Sequence, residues 1–215
     1  MIWSMGIARE GFRLLLPLLG LVLLFVGGGW LLRFPALQIG GGILFLLGLF
    51  LLFFFRDPAR RSPKGTGLVL APCDGKVILA EEAADGRPHG RVAIFMSLFD
   101  VHVNRCPITG VVRTIERRKG RFHHAAAAEA TRENASVRVD ASADFGGVTW
   151  IQVAGMLARR ISCRLSEGQQ LLAGERFGLI YFGSRMEVLL PSQVRLQVKA
   201  GQRVKAGSTI LAEAS

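Results

Sequence analysis

The chain opens with two long apolar runs and then changes to short alternating ones. Leu14–Leu32 is 19 residues without a charge, and Phe34–Phe55 is 22 more, with Arg33 and Pro35 marking a turn between them. As helices they would extend about 28 and 33 Å at 1.5 Å per residue, against a hydrocarbon core of about 30 Å. The pattern predicts a two-helix membrane hairpin over residues 1–55. Glycine runs such as Gly27–Gly29 and Gly40–Gly42 are tolerated in membrane helices. A signal peptide would be shorter and would carry a small-residue cleavage site before any second span. A hairpin that enters the bilayer only partway is the alternative left open.

Residues 56–66 form a basic, proline-containing linker. Beyond it, residues 67–215 read mostly as strands. Gly67–Leu70 runs into an Ala-Pro-Cys-Asp-Gly turn and Lys76–Ala80 leaves it, with Asp74-Gly75 as the turn signal. Arg91–Asn104 alternates at its end, with Val101 and Val103 on one face and Asp100, His102 and Asn104 on the other. Further strands are expected at 111–116, 137–139, 148–154, 178–182 and 194–198, and a short helix at 125–134. Gly168-Gln-Gln-Leu-Leu-Ala-Gly174 recurs 33 residues later as Gly201-Gln-Arg-Val-Lys-Ala-Gly207. Two copies suit paired hairpins rather than a solenoid. The fold class expected is therefore a mainly β soluble domain, a barrel or sandwich with lipoyl-like hairpins, preceded by an α-helical membrane hairpin.

Charge sharpens this division. Residues 1–55 hold only Arg9, Glu10, Arg13 and Arg33, and the rest of the chain carries most of the formal net charge of +11. One Tyr and no aromatic interleaving in the basic stretches argue against nucleic acid; an anionic lipid surface fits better. Basic residues flank both ends of the hairpin, and Arg33 alone lies in its turn. The positive-inside rule then places the following domain on the cytoplasmic side of the cell's inner membrane. Cys73, Cys106 and Cys163 are too few and too widely spaced for a disulfide framework.

Three residue types suggest chemistry. Asp74 lies in a turn, His102 on a strand, and Ser184 between Gly183 and Arg185 after an apolar run. Each alone has a bland reading: turn former, structural histidine, ordinary Gly-Ser turn. Together they could activate a hydroxyl, with a base in reach and a carboxylate to orient it. Spacing alone does not decide, and the Gly-x-Ser-x-Gly elbow of α/β-hydrolases is absent.

Four motifs in order do decide. Arg56-Asp-Pro-Ala-Arg60, Ala71-Pro-Cys-Asp-Gly75, Phe95-Met-Ser-Leu-Phe-Asp-Val-His-Val-Asn-Arg105 and Phe182-Gly-Ser-Arg185 resemble the short bacterial phosphatidylserine decarboxylase proenzymes. The resemblance covers roughly residues 50–215. It implies self-cleavage of the Gly183–Ser184 bond, with Ser184 converted to a pyruvoyl cofactor. That group would form a Schiff base with the substrate amine and act as an electron sink. His102 is the implied base and Asp74 its orienting carboxylate. The large and small chains would stay associated, and a homo-oligomer is allowed. Anionic phospholipid and the membrane are the implied partners, with phosphatidylethanolamine as product and no metal.

Two positions depart from the family pattern. Arg105 stands where longer members have a second His, so His102 could serve self-cleavage, decarboxylation or both. Cys73 replaces a plainer apolar residue and reads as packing. His123 and His124 read as surface or lipid-facing. Arg113, Arg117, Arg118, Lys119 and Arg121 could attract headgroups or simply form a solvated face. The rivals are a zinc peptidase, whose His-x-His pair is broken by Asn104, a lipoyl-like membrane adaptor, and an unprocessed pseudoenzyme.

Overall fold

The computed structural model describes residues 6–84, 89–120, 130–155 and 160–214. The chain divides into two units, Met1–Ala59 and Arg60–Ser215. The expected linker is thus shared between them, residues 56–59 going with the first and 60–66 with the second.

In the first unit, α1 (Arg9–Leu31) and α2 (Pro35–Phe54) form a hairpin. Arg33 takes a φ of 52°, and the Phe34 N–H donates to the Gly29 carbonyl at 2.9 Å, which reverses the chain. Pro35 stands in the first turn of α2, where its missing N–H is harmless. The helices approach closely at small residues: a Cβ on Gly41 would lie 2.6 Å from Val26 Cγ2. Leu16, Leu23, Leu24, Trp30, Ile39 and Leu46 face outward. Helices this apolar on their outer surface suit hydrocarbon rather than water. Both are long and apolar enough to cross a membrane. The first starts at Arg9 rather than Leu14, taking in three charged residues.

The second unit is built from strands. They are β1 (Leu68–Leu70), β2 (Gly75–Glu81), β3 (Gly90–Met96), β4 (Val103–Arg105), β5 (Gly110–Arg118), β6 (Ser136–Ala143), β7 (Gly146–Val153), β8 (Ile161–Cys163), β9 (Gln170–Leu171), β10 (Arg176–Ile180), β11 (Ser184–Leu190), β12 (Val194–Leu196), β13 (Arg203–Val204) and β14 (Ile210–Ala214). A single helical turn, α3 (Ala130–Glu133), precedes β6. It falls within the helix expected at 125–134, of which residues 125–129 lie outside the described residues.

Eight strands form one antiparallel sheet in the order β13-β2-β3-β11-β7-β6-β5-β9, curled into a half-barrel. Two three-stranded sheets, β1-β14-β12 and β4-β10-β8, complete the unit. The core fills the curl with Val77, Ile94, Met96, Trp150, Met186 and Val188. Phe177 of β10 packs on Trp150 with ring centroids 5.7 Å apart. Alternation produces this arrangement: on β7, Val148 and Trp150 point to the core while Gly147 and Thr149 do not.

Two expectations are corrected, while the expected turn at Asp74-Gly75 does lie between two strands, β1 pairing with β14 and β2 with β3 and β13. The 91–104 run is two strands, β3 and β4, separated by a turn that Asp100 closes on Ser97. The repeated glycine segments do not pair as hairpins with each other. Their strands, β9 and β13, form opposite edges of the eight-stranded sheet. The curl nevertheless brings Gly174 and Gly207 together, so that a Cβ on Gly207 would lie 3.2 Å from Gly174 Cα.

The strand beginning at Ser184 was not expected from the sequence. β11 is central, paired with β3 over its whole length and with β7 from Arg185 to Leu189. Its first five residues are buried, and so is Leu190, so it shows no simple alternation between apolar and polar positions.

Candidate active site around Ser184

Backbone geometry marks the start of β11. Phe182 has a φ of 38° and Gly183 a φ of 63°, so two consecutive residues are left-handed. Such a conformation is natural for Gly183 but strained for an aromatic residue. Ser184 follows directly and is fully buried. Its hydroxyl has no hydrogen-bond partner among the described residues.

The Gly183 carbonyl is packed against another glycine. A Cβ built on Gly155 would overlap the Gly183 oxygen and lie 2.8 Å from its carbonyl carbon. Gly155 is held there by its neighbour: the Ala154 N–H donates to the Ala135 carbonyl at 3.0 Å, and Asn134 Nδ2 donates to the Ala154 carbonyl at 2.9 Å. Asn134 is itself fully buried. Sequence reasoning missed Gly155, because a lone glycine after a strand looks like an ordinary turn.

His102 reaches the same region through the sheets. Ser184 is paired with Met96, at the end of β3. The chain turns there, and six residues on, the His102 carbonyl accepts from the Ile180 N–H at 3.4 Å, just before the Tyr181–Gly183 segment. The ring is fully buried, with Nδ1 2.9 Å from the Asp100 carbonyl oxygen. Asp100 fixes that turn: Oδ2 accepts from both the N–H and the hydroxyl of Ser97 at 2.8 Å, and Oδ1 accepts from Arg203 at 2.9 Å.

Asp74 is nearly buried and doubly held. Arg60 donates to Oδ2 and the Ala206 N–H to Oδ1, each at 2.8 Å. The hydrogen bonds described for Asp74 and for His102 thus run to different groups. Cys73 ties the two neighbourhoods together: burial pushes its thiol well above the ordinary value, and the Asp74 and Asp100 carboxylates nearby push the same way. An uncharged, buried thiol fits the packing role expected of it. Burial similarly pushes Cys106 up to about 12, helped by Glu175 and Cys163.

Other expected positions fall elsewhere. Arg105 is buried and donates to the Gly174 carbonyl at 3.1 Å. Arg113 bonds to Ser142, Arg117 to the Cys163 carbonyl and Arg118 to the Asn134 carbonyl. These arginines are at least partly committed within the domain; Lys119 is exposed. Arg121, His123 and His124 lie outside the described residues. Among the described residues no group of three or more His, Cys, Asp or Glu could hold a metal ion. The groove of about 820 Å³ beside Thr66, Arg113, Asp144 and Phe145 contains none of Ser184, His102 or Asp74.

A buried amide pair completes the region. Gln152 of β7 lies directly across from Met186, so it shares the inner face with Ser184 two residues before Met186. Its Nε2 donates to Asn104 Oδ1 at 2.8 Å, and both residues are fully buried. Asn104 Nδ2 and Gln152 Oε1 have no partner among the described residues. Such unmet groups cost about 1–3 kcal/mol each. Gln152 was also missed, although a glutamine at an apolar-face position of a strand is a signal.

The opposite face of β11 carries a charged cluster. Glu187, almost fully buried, accepts from Arg91 and from the Thr131 hydroxyl and pairs with buried Arg185 at 2.6 Å. Removing one partner of a buried pair typically costs about 3–5 kcal/mol. Glu187→Ala is therefore expected to lower the Tm of the detergent-solubilised protein by of the order of 10 °C, as read in a thermal unfolding scan.

Comparison with known proteins assigns the fold to a family. Residues 47–212 match the family model described as phosphatidylserine decarboxylase. A phosphatidylserine decarboxylase proenzyme of Solidesulfovibrio magneticus is 41% identical over 97% of this chain and 96% of its own. One from Trichlorobacter lovleyi is 39% identical over 95% of each. One from Chlorobaculum tepidum is 42% identical over 77% of this chain and 78% of its own.

Proposed function

The chain belongs to the phosphatidylserine decarboxylase family, and from this we propose that it is a proenzyme that cuts itself between Gly183 and Ser184 and then converts phosphatidylserine to phosphatidylethanolamine and CO₂. The observation that carries the reading is the buried, unpartnered Ser184 hydroxyl directly after two left-handed residues.

Self-cleavage in this reading proceeds through Ser184 and the peptide bond before it. The Ser184 Oγ adds to the Gly183 carbonyl carbon and loses its proton to a base. The Gly183–Ser184 amide breaks, giving an ester on Oγ and a free amine on Ser184. Removal of the Ser184 α-proton expels the Gly183 carboxylate and leaves a dehydroalanine. Water replaces its nitrogen, ammonia departs, and a pyruvoyl group remains at the new amino terminus. Ser184 fits that product because its own carbons become the group. The pyruvoyl carbonyl supplies an electron-withdrawing centre that accepts the charge left by departing CO₂.

His102 is the proposed base, with its ring oriented by the Asp100 carbonyl. Asp74 supports it from the Arg60–Ala206 clamp, which holds the turn next to Cys73 and Asp100. A positioned base contributes typically 10²–10⁴-fold. His102→Ala should therefore slow self-cleavage by at least about 100-fold, followed as loss of precursor on a gel. Cleavage at the wild-type rate would remove His102 from this step.

The two apolar helices are proposed to anchor the enzyme in the inner membrane with residues 60–215 in the cytoplasm. Arg9, Arg13, Arg56, Arg60, Arg61 and Lys64 flank the hairpin, whereas Arg33 alone lies in its turn. Protease added outside intact spheroplasts should leave residues 60–215 untouched.

Mass spectrometry of the purified wild type tests the whole reading. It should show chains of residues 1–183 and 184–215, the smaller with a blocked, carbonyl-reactive amino terminus. A single intact chain without carbonyl reactivity would refute it.

A further inference from the structure

We propose that Asn104 and Gln152 form the subsite for the serine headgroup, Asn104 facing its carboxylate and Gln152 its amine. The inference rests on the decarboxylase reading above. Its basis is an inventory of open hydrogen-bonding capacity beside Ser184.

The two amides share one hydrogen bond of 2.8 Å and leave one NH₂ and one C=O open. Exchanging O and N in both amides preserves that balance and exchanges only which residue offers the donor. Buried polar groups are normally satisfied, and a donor and an acceptor left open side by side call for a ligand with both functions. An amino acid headgroup has them: a carboxylate that only accepts and an ammonium that only donates.

The register puts Gln152 one diagonal step from the reacting residue. Gln152 and Met186 are directly paired, and Ser184 lies one diagonal step away on the same face, about 7–8 Å between backbones. Long polar side chains reach across such a step. A headgroup whose nitrogen meets residue 184 would have its own carboxylate one carbon further on, within the span of Asn104.

The chemistry favours amides over charged residues. An arginine would hold the substrate carboxylate strongly and oppose its departure as neutral CO₂. A neutral amide orients the carboxylate while stabilising its charge less. Ser184, Asn104, Gln152 and His102 are all fully buried in the uncut chain. Separation of Gly183 from Ser184 opens a route to them, so that the subsite serves only the cut protein.

The test uses full-length protein in detergent and two soluble dihexanoyl probes. N-acetyl phosphatidylserine and N-acetyl phosphatidylethanolamine differ only in the carboxylate, and neither has a free amine to react. Each is scored by how well it protects the small chain from phenylhydrazine, read by mass. Wild type should be protected by the carboxylate-bearing probe at about ten- to hundredfold lower concentration, the range of one charge-assisted hydrogen bond. Asn104→Leu and Gln152→Leu should cut themselves normally and reduce or erase that preference. Asn104→Asp, nearly identical in shape but anionic, should reverse it. A preference that survives in these variants overturns the assignment. So does failure of both Asn104 variants to self-cleave, which would make the pair part of the fold or of the cutting step. A wild type that stays uncut would instead refute the decarboxylase reading itself.

Discussion

Ser184→Ala is expected to remain a single chain of 215 residues with no decarboxylase activity. Ser184 has two separate functions in the proposed scheme, and alanine removes both. Without Oγ there is no nucleophile for the Gly183 carbonyl. Without a leaving oxygen there is no elimination and no keto group. The variant should fold, because Ser184 makes no side-chain hydrogen bond among the described residues that alanine would break. Intact mass and carbonyl labelling read the result directly. Ser184→Thr retains both functions: it keeps an oxygen that can attack and then leave, and any small chain it releases should be heavier by one methylene. Cleavage of the alanine variant at the same bond would mean that another group performs the attack.

Gly155→Ala should be nearly as damaging, although residue 155 contributes no functional group. The new Cβ would overlap the Gly183 oxygen. The segment that carries it cannot easily retreat, since Ala154 is tied to Ala135 and Asn134. The carbonyl must therefore shift, and a displacement of about 1 Å at a reacting centre costs of the order of 10² in rate. The precursor should accumulate at least about 100-fold longer than in wild type. It should also resist hydroxylamine, which cleaves an ester but not an amide. A precursor that hydroxylamine cuts would show that the acyl shift had occurred and that the block lies later.

Much of the fold was legible because uninterrupted hydrophobicity and strict alternation have simple causes. The hairpin is readable since nineteen uncharged residues in a row suit few environments besides a bilayer. β6 and β7 are readable because one face meets the core and the other does not. β11 was not, and the reason is physical. It is covered on both faces and carries Arg185 and Glu187, whose burial depends on Arg91, 96 residues away from Glu187 in sequence. No local pattern reports a partner that distant. The candidate site divides similarly. Gly183, Ser184, Asp74 and His102 stand in ordered motifs, so a resemblance could find them. Gly155 and Asn134 are placed only by the return of the chain to β7, and the Asn104–Gln152 pair only by the meeting of two sheets.

The position of Ser184 as the first residue of β11 governs what the cut leaves behind. The released segment supplies β11 through β14, of which β11 is bonded on both sides, β13 to β2 and β14 to β1. The new terminus would therefore be clamped from its first residues, and leaving would require most of the half-barrel to open. The two chains would be separate polymers yet a single folding unit, with no independent monomer for either. If so, isotopically labelled and unlabelled batches mixed after processing should form no hybrids: each large chain keeps the small chain with which it was synthesised for as long as the protein stays folded.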